Sequence, residues 1–459
     1  MIELFQRVAA DDPDRTALIT GSRELSYAEL LEVSLRAAEG LRRAGITRFA
    51  VLDHEADVSL PLYAGASLVG AQACQYPPVG VEEVAALAER FDHDVLVTDR
   101  TDLTGLDARL VRPAELLGAE LSGGQAPDAV APVPDVRPHI VLTTGTTGLP
   151  KGALHDWSRL LRKTDHTRSG QGQRWLLAYG LHQFGGQQVL IHVFASGATL
   201  VAPTPRRPRE GLAAMREHGV THVSATPTFW RFVLAEMSSD GLPAPTPHQV
   251  TMGGEAVPGH LLGALREAFP DAGISQIYGS TEVGTTSSTN DDAPGLPASV
   301  LERGPDAPVQ LKVVDDEIWV RSRIGMLGYY GEDPVDQDGW RATGDLVDVV
   351  DDRLVFRGRS SDIINVGGVK VHPLSVEERV IGVPGVDMAR VYGRPNAMTG
   401  AIVALEVVAT PGADTAQLKQ ALREACSDLL PAAQPRSIRF VDDITTFGGK
   451  ILRRQTSEQ

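Results

Sequence analysis

The chain has 459 residues, more than one hydrophobic core usually supports, so two or more domains are expected. Hydrophobic residues make up 42% of it and charged residues 22%, which is typical of a globular protein. The net charge of −16 argues against a nucleic acid or an anionic membrane as partner, and two cysteines are too few for a disulfide framework or a cysteine-based zinc site.

Targeting signals are not apparent. The chain has no apolar run of about 18 residues, so no membrane-spanning helix is expected. Residues 1–6 lack the basic and then apolar plan of a secretory signal peptide. The cytoplasm is therefore the expected location, and the oligomeric state stays open, with a homodimer as one option.

The N-terminal third predicts helices that alternate with buried strands. Ser26 and Glu29 form a capping-box pattern at the start of a helix, and Gly45 follows its end. Apolar runs at residues 49–52 and 94–98 predict buried strands separated by helical segments. This alternation favours an α/β fold with parallel strands.

A segment rich in threonine and glycine follows residues 140–142, an apolar run that predicts another buried strand. Glycines let the backbone direct N–H groups at an anion, and the hydroxyls and a lysine add donors and positive charge. The segment therefore predicts a phosphate cradle, but Pro150 before Lys151 and Gly152 after it exclude a P-loop. The predicted phosphate ligands are Thr143, Thr144, Gly145, Thr146, Thr147, Gly148 and Lys151.

The pattern changes towards the C-terminus. Apolar runs at residues 189–194, 200–201 and 221–224 continue the α/β pattern, whereas residues 311–356 predict a small β subdomain of short strands with acidic turns. A compact unit follows, with a helix near residues 375–381 and a second helix capped by Asp414. We expect an N-terminal domain of residues 1–358 and a C-terminal domain of residues 359–459.

Four further motifs follow the phosphate segment in a fixed order. They are Tyr278-Gly-Ser-Thr-Glu282, Thr343-Gly-Asp345, the stretch from Gly358 to Pro373, and Gly448-Gly-Lys-Ile-Leu-Arg453. The set resembles that of the adenylate-forming (ANL) superfamily of acyl-CoA synthetases, adenylation domains of nonribosomal peptide synthetases and luciferases. The resemblance implies a large N-terminal domain of packed α/β sheets with a small β subdomain, and a small mobile α+β C-terminal domain.

The resemblance also implies roles in the activation of a carboxylic acid by ATP. The phosphate segment holds the β- and γ-phosphates, Thr281 contacts the α-phosphate, and Glu282 holds Mg²⁺, which prefers oxygen ligands. Asp345 accepts both ribose hydroxyls. Lys450 stabilises the charge that develops during adenylation. The remaining AMP-binding residues are Tyr278, Gly279, Ser280, Arg359 and a loop of Gly253, Gly254, Glu255 and Ala256.

The second half-reaction transfers the acyl group to a thiol. The resemblance implies that the C-terminal domain rotates about a hinge at Asp362, although a rigid turn is the simpler alternative. Gly367 and Gly368 match a loop that lets a pantetheine arm pass close to the backbone, where side chains would block it. That arm belongs to CoA or to the phosphopantetheine of a separate carrier protein.

The acyl pocket is expected around His182, Phe184 and Gly185, together with Gly253 and Gly254. His182 gates the pocket, contacts the substrate carboxylate, or is a packed structural histidine. Residues 176–201 contain no Asp or Glu, so a buried ammonium group would lack a partner. An α-amino acid is therefore disfavoured. The pair Gly185–Gly186 and the pair Gly253–Gly254 suggest room for an aryl, alicyclic or medium-chain group.

The expected protein is an AMP-forming acid:thiol ligase that uses ATP, Mg²⁺ and, as acceptor, CoA. Two alternatives stay open: an adenylation enzyme that loads a carrier protein with an acyl or amino acid, and a member specialised for one half-reaction. A binding protein without chemistry is disfavoured because Lys450, Glu282 and Asp345 are all present. One departure from the family pattern is Asp316-Glu317-Ile318 in place of the usual Gly-Glu.

Overall fold

The computed structural model describes residues 1–21, 23–118, 134–143, 150–291, 293–410, 412–444, 446–447 and 450–451, with Lys450 described by its backbone alone. Helices and strands alternate along the N-terminal half, as the sequence predicts. Among all the described residues, no helix is long and apolar enough to cross a membrane.

The helices of the described residues include twelve α-helices and three 3₁₀ segments. The α-helices are α1 (Ile2–Asp11), α2 (Tyr27–Arg43), α3 (Ala56–Val69), α4 (Val81–Arg90), α5 (Pro113–Leu117), α6 (Trp157–Leu160), α7 (Phe184–Ser196), α8 (Pro208–Glu217), α9 (Pro227–Asp240), α10 (Gly259–Ala268), α11 (Pro373–Ile381) and α12 (Thr415–Ala425). The 3₁₀ segments are Leu161–His166, Ala298–Glu302 and Ser360–Asp362.

The strands are short, as is usual for a mixed fold. They are β1 (Thr16–Thr20), β2 (Arg23–Ser26), β3 (Arg48–Val51), β4 (Gln72–Gln75), β5 (Val95–Val97), β6 (Arg109–Val111), β7 (Pro138–Thr143), β8 (Lys151–Asp156), β9 (Arg174–Leu177), β10 (Thr199–Ala202), β11 (His222–Ala225), β12 (Gln249–Gly253), β13 (Gly273–Ser280), β14 (Gly284–Thr289), β15 (Leu296–Pro297), β16 (Val309–Val314), β17 (Glu317–Ser322), β18 (Gly328–Tyr329), β19 (Arg341–Val350), β20 (Arg353–Arg359), β21 (Ile364–Val366), β22 (Val369–Val371), β23 (Val386–Asn396), β24 (Gly400–Ala409), β25 (Ser437–Phe440), β26 (Thr446–Phe447) and β27 (Lys450–Ile451).

Two large sheets form the body of the molecule. The first has the order β14-β13-β12-β11-β9-β10-β1-β2 and is parallel except for its edge strands β14 and β2. The second has the order β18-β8-β7-β4-β3-β5-β6 and is parallel from β7 to β6. Parallel strands gather their carboxyl ends at one edge of a sheet, which is where ligands bind in α/β folds.

The main core packs α2, α3 and α7 with apolar residues of both large sheets. Helices α3 and α7 are apolar on all sides and almost completely buried, whereas α2 is amphipathic and begins with the predicted capping box at Ser26 and Glu29. A helix that is hydrophobic all round belongs in the interior. The apolar run at residues 189–194 lies in α7, and the runs at 200–201 and 221–224 contribute to strands β10 and β11.

Two smaller units complete the fold. The sheet β15-β20-β19-β17-β16 has its own core and coincides with the β subdomain expected from residues 311–356. Beyond it, strands β21 to β25 and helices α11 and α12 enclose a separate core, and Asp414 caps α12 as predicted. The predicted fold class, packed α/β sheets with a β subdomain and an α+β C-terminal unit, is confirmed.

Candidate active site

The first sheet brings several predicted site residues to one edge. Strands β9, β11, β12 and β13 are parallel neighbours in register. Gly253 ends β12 and Ser280 ends β13, and the loop that carries His182 follows β9. Tyr278 to Glu282, the loop from Gly253, and His182 therefore lie along the same carboxyl edge.

The predicted ribose carboxylate is already paired on both oxygens. Tyr278 Oη donates to Asp345 Oδ2 at 2.8 Å, and Arg359 Nε donates to Asp345 Oδ1 at 3.1 Å. The Tyr278 ring packs on Phe356, with ring centroids 5.1 Å apart. Burial and the Asp345 charge raise the pKa of Tyr278, so its hydroxyl remains a donor. The three residues form a polar group suited to a ribose and an adenine.

Glu317 fixes the backbone that carries Asp345. Its Oε1 accepts from the N–H of Gly344 at 2.7 Å, while Thr343 Oγ1 donates to the carbonyl of Ile318 at 2.8 Å. Asp315 and Asp316 have positive φ in the two-residue turn before β17, a conformation that aspartate tolerates. The departure at residues 316–318 thus retains a useful glutamate. Sequence reasoning noted this segment but missed the contact with Gly344.

A second polar group surrounds Glu282. Tyr329 Oη donates to Glu282 Oε1 at 3.0 Å, and Lys151 Nζ lies 4.4 Å from the centroid of the Tyr329 ring and 3.1 Å from Glu332 Oε1. Strand β18 pairs with β8 and so carries Tyr329 to Lys151. The sequence did not single out Tyr329, because only this pairing brings it to the site.

Part of the predicted phosphate segment is described. Thr143 ends β7 directly opposite Lys151, the first residue of β8. Thr144, Gly145, Thr146, Thr147 and Gly148 lie outside the described residues, as do Gly448, Gly449 and the side chain of Lys450. Gly279 and Ser280 complete β13, and Thr281 follows them in the turn to β14. A Cβ on Gly279 would lie 2.6 Å from the carbonyl oxygen of Gly284, so glycine permits that close approach.

The loop after β12 is attached to helix α9. Glu255 Oε2 accepts from Thr228 N at 3.0 Å and from Thr228 Oγ1 at 2.8 Å. Gly254 has a φ of 85°, which favours glycine. Gly253 and Ala256 flank these two residues, so the loop has a defined shape beside Tyr278. Glu255 serves as an anchor here.

The predicted acyl region is aromatic and contains two neutral histidines. Phe184 begins α7 and stacks on His155 of β8, with ring centroids 5.3 Å apart. His182 lies against Gly180, where a Cβ would meet its ring at 2.4 Å. Burial lowers the pKa of His182 to about 4, with His54 and Arg206 adding to the effect, and burial lowers the pKa of His155 to about 4. Both rings are neutral near pH 7.

The paired glycines of α7 need a correction. A Cβ on Gly185 would lie 3.2 Å from the Tyr179 ring, and one on Gly186 would lie 2.4 Å from the carbonyl oxygen of Gly180. Neither glycine therefore opens space for an acyl group. They let the first turn of α7 pack tightly on the loop that follows β9, which fixes Phe184 and His182.

Glu282 is the one predicted metal ligand, and the described residues place no group of further candidate ligands around it. Among the described residues, no group of three or more His, Cys, Asp or Glu side chains could hold a metal ion. Mg²⁺ that arrives with ATP takes most of its oxygen ligands from phosphates and water, so one carboxylate is an adequate protein ligand. Glu282, oriented by Tyr329, fits that requirement.

The remaining predicted residues lie beyond β20. Asp362 ends the 3₁₀ segment Ser360–Asp362, directly after the last strand of the β subdomain. Gly367 and Gly368 form the exposed two-residue turn between β21 and β22, with φ of 59° and 90°. Gly368 N–H donates to Asn365 Oδ1 at 2.9 Å. The turn presents bare backbone, as the predicted pantetheine loop requires.

Known proteins resemble the chain over nearly its whole length. It is 27% identical to the fatty acid–acyl-carrier-protein ligase ScoC of Streptomyces coeruleorubidus, covering 98% of this chain and 94% of that ligase. It is 28% identical to a feruloyl-CoA synthase of an Amycolatopsis species, covering 97% of this chain and 96% of that synthase. The fold matches O-succinylbenzoate coenzyme A synthetase of Bacillus subtilis in complex with ATP and a magnesium ion, with a TM-score of 0.76, 23% identity and 99% of each chain covered.

Two family models match consecutive parts of the chain. The model of AMP-binding enzymes matches residues 5–330, and the model of the AMP-binding enzyme C-terminal domain matches residues 375–446. Together they include β12 and β13 of the candidate site and most of the C-terminal unit. The chain therefore belongs to the AMP-binding enzymes, and the predicted membership of the adenylate-forming superfamily is confirmed.

Proposed function

We propose that this enzyme activates a neutral carboxylic acid with ATP and transfers the acyl group to the thiol of CoA. The observation that supports the proposal most directly is that two polar groups lie close to the carboxyl end of β13. The group of Tyr278, Asp345 and Arg359 suits a nucleoside, and the group of Lys151, Glu282 and Tyr329 suits phosphates and Mg²⁺.

The first half-reaction makes a mixed anhydride. A carboxylate oxygen of the acid attacks the α-phosphorus of ATP, and the bond from that phosphorus to the bridging oxygen breaks. The electron pair leaves with pyrophosphate, and the acyl-adenylate remains. Such an in-line displacement depends on positioning and on neutralising charge more than on covalent help from the protein.

The residues divide this work. Thr281 and the phosphate segment orient the α-phosphate and the leaving pyrophosphate, with Lys151 supplying positive charge. Asp345 accepts the ribose hydroxyls and Tyr278 packs on the adenine. Mg²⁺ bound with ATP would be held by Glu282 and would offset phosphate charge. Lys450 supplies positive charge to the developing transition state.

The second half-reaction breaks the anhydride. The thiol sulfur attacks the acyl carbon, its proton leaves to solvent, and AMP departs with the electron pair of the broken bond. A rotation of residues 359–459 about Asp362 would replace Lys450 by the turn of Gly367 and Gly368. That turn has no side chain to obstruct a pantetheine arm. A boundary between a strand and a 3₁₀ segment is a sensible hinge.

The acid is proposed to be neutral apart from its reacting carboxylate. No carboxylate occurs on α7, and Glu255 is occupied by Thr228, so the α-ammonium of an amino acid would be buried without a partner. The stack of Phe184 on His155 offers a flat apolar wall. An aryl acid suits that wall best, and alicyclic or medium-chain acids follow.

The acceptor has a specific rival. ScoC, which resembles this chain over nearly its full length, is a ligase for an acyl carrier protein, whereas the feruloyl relative forms a CoA thioester. CoA and a carrier protein present the same pantetheine thiol, so the turn at Gly367 serves either one. The cytoplasm, which contains ATP and both acceptors, is the proposed location.

Mass spectrometry of reactions with ATP and Mg²⁺ tests the proposal. Aryl, alicyclic, medium-chain and amino acids are supplied separately, each with CoA, with a carrier protein, or with neither. An aryl-CoA together with AMP is the expected product. If the aryl group is transferred from the adenylate only to a carrier protein, the acceptor is the carrier protein and not CoA. Formation of ADP, or turnover of amino acids alone, would contradict the proposal.

A further inference from the structure

Arg341 is a half-buried residue whose guanidinium is shielded from solvent and has no direct partner among the described residues. It begins β19, four residues before Asp345. All three of its guanidinium nitrogens are shielded from solvent, and none has a hydrogen-bond partner among the described residues. Among the described residues, no carboxylate oxygen lies within 4.0 Å of a guanidinium nitrogen of Arg341. Arginine presents five N–H donors, so several are unused.

An unused guanidinium is expensive inside a protein. A buried polar group without a hydrogen bond destabilises the fold, and a charged one does so more strongly. Burial accordingly lowers the pKa of Arg341, and only Glu282, Asp336 and the Tyr329 hydroxyl oppose that effect. A side chain that the fold keeps in this condition is better explained by a ligand than by packing.

The neighbours of Arg341 show which ligand fits. Glu282 is the proposed Mg²⁺ ligand, and Tyr329 donates to it. Lys151 Nζ lies over the same tyrosine ring. Arg341 interacts electrostatically with Glu282 and Tyr329, while Lys151, at the end of the phosphate segment, contacts the Tyr329 ring, so two positive charges act on one carboxylate–tyrosine pair. Two cations at a site for Mg²⁺ and triphosphate match an anion with several charged oxygens.

We infer that Arg341 binds the β- and γ-phosphates of ATP and retains the departing pyrophosphate, acting beside Lys151. The inference rests on the proposed function, because it assumes that ATP is the nucleotide. When the bond to the α-phosphorus breaks, negative charge moves onto the bridging oxygen of pyrophosphate. A guanidinium that already contacts these phosphates stabilises that charge without giving up a proton.

A simpler role would be to balance the charges of Glu282 and Asp336. In that case Arg341 would contribute equally to the free enzyme and to every nucleotide complex. A phosphate-binding role predicts a difference between ligands, because AMP lacks the β- and γ-phosphates. The two roles are therefore separated by the selectivity of a variant for ATP, pyrophosphate and AMP.

Calorimetric titration provides the test without a known acid. Wild type, Arg341→Gln and Arg341→Lys are titrated with ATP, with pyrophosphate and with AMP, all with Mg²⁺. Arg341→Gln should bind ATP and pyrophosphate roughly 10- to 100-fold more weakly, as expected for a lost charged hydrogen bond, with AMP affinity unchanged. Arg341→Lys should fall between, since it retains charge without the planar fork.

Arg323→Gln is the matched control. Arg323 lies in the same β subdomain, but it is half exposed and paired with Asp338 at 2.8 Å, so its removal should alter none of the three affinities. Equal loss of AMP and ATP binding in Arg341→Gln, or no loss of either, would overturn the inference. If Arg341→Gln fails to fold, Arg341→Lys decides by the same ratio of ATP to AMP affinity.

The outcome is independent of the acid. A wild-type protein that binds ATP but activates none of the acids would contradict the proposed substrate and leave the role of Arg341 intact. A wild-type protein that binds neither ATP nor pyrophosphate would contradict both. Normal acid activation by wild type, with an unchanged ATP affinity in Arg341→Gln, would remove only the role of Arg341.

Discussion

The site has a proposed nucleoside half, formed by Tyr278, Asp345 and Arg359, and a proposed acyl half, formed by His155, His182 and Phe184. The two halves differ in polarity. In the nucleoside half, Tyr278 and Arg359 pair with both oxygens of Asp345. In the acyl half, Phe184 stacks on His155, which is only 2% exposed, and burial holds the pKa of His182 at about 4. One half contains a carboxylate paired on both oxygens, and the other contains two neutral histidines, with the charge of Arg206 acting on His182.

This difference follows the ligands that each half would bind. Every ATP molecule carries the same ribose and adenine, so a fixed set of paired polar groups recognises it with little reorganisation. The acyl tail of the proposed substrate has no charge, so an aromatic surface with neutral histidines favours it and penalises an ammonium group. Substitutions in each half, and at the residues proposed to serve the two half-reactions, test this comparison.

Lys450→Ala should separate adenylation from thiol transfer. Loss of a group that stabilises developing charge typically lowers the rate about 10²- to 10³-fold. Acyl-adenylate formation should fall by this factor, while thioester formation from supplied acyl-adenylate should change little. Rates of both half-reactions are measured beside Lys419→Ala, a lysine of α12 outside any proposed site. Equal losses in the two half-reactions would contradict a role for Lys450 in adenylation alone.

Asp362→Pro should impair the second half-reaction more than the first. Proline fixes φ and restricts the residue before it, so a hinge at this position would lose its freedom. Thiol transfer should drop at least about tenfold beyond any loss in adenylation, since domain closure often limits such steps. Asp362→Ala, which keeps the backbone free, is the control. Unchanged thiol transfer in Asp362→Pro would remove the hinge from this position.

Asp345→Asn should break the nucleoside half alone. The amide keeps the shape but loses the charge that Arg359 and the ribose hydroxyls face, an effect of roughly 1.5–3 kcal/mol. ATP and AMP should both bind about 10- to 100-fold more weakly, in contrast to the selective effect expected at Arg341. Calorimetry measures both ligands, with the exposed Asp348→Asn on the same strand as the control. A loss for ATP without a loss for AMP would contradict a ribose contact.

Gly186→Ala should disturb the acyl half through packing. Its new Cβ would lie 2.4 Å from the carbonyl oxygen of Gly180, so α7 must shift. Overpacking of this kind lowers the free energy of unfolding by about 1–3 kcal/mol, and the KM for the acid should rise. Gly263→Ala on α10 meets no atom within 4 Å and should be neutral or slightly stabilising. Denaturant unfolding compares the two variants, and equal stabilities would refute the packing argument.

Buried neutral histidines should make the stability of the fold sensitive to acid. Burial lowers the pKa of His139 to about 3, from the 6.5 of a free histidine. Between these pH values the unfolded chain binds a proton that the native protein does not, so the free energy of unfolding decreases as the pH falls from 6.5. Each such histidine contributes roughly 1.4 kcal/mol per pH unit.

His139→Phe tests this dependence. The ring of His139 packs against Tyr63 and Trp157, so phenylalanine preserves the aromatic contacts. Urea unfolding is measured between pH 4.5 and about 6.5, a range set by the pKa of a free histidine. In the variant, the free energy of unfolding should depend less steeply on pH, by an amount that corresponds to at most one bound proton. Identical slopes for wild type and His139→Phe would contradict a neutral His139.

The sequence predicted residues of the site better than the contacts among them. Asp345, Tyr278 and Glu282 were predicted as site residues because each stands in a short motif, and the motifs follow one another in a recognisable order. The contact of Tyr329 with Glu282 and the stack of His155 on Phe184 were not found, because strand pairing and helix packing bring these residues together across long stretches of chain. The spare guanidinium of Arg341 was missed for the same reason.

The glycines show where pattern reasoning is ambiguous. The sequence indicates that small residues are needed at 185 and 186, but it gives no sign of whether the space beside them is open or filled. The neighbours that fill it, Tyr179 and the carbonyl of Gly180, follow β9 and meet α7 only when that helix packs on the loop. A local pattern therefore records a steric requirement without its cause.

The α/β class, the capped helices, the β subdomain and the family could all be predicted from the chain alone, because periodicity, turn residues and ordered motifs are local properties. Which charges are paired, which histidines are buried and whether a cation has a partner became apparent only in the folded structure. Those properties depend on distance and solvent exposure, which arise when strands far apart in sequence become neighbours. At this site, Asp345 is satisfied and Arg341 is not, although both belong to β19.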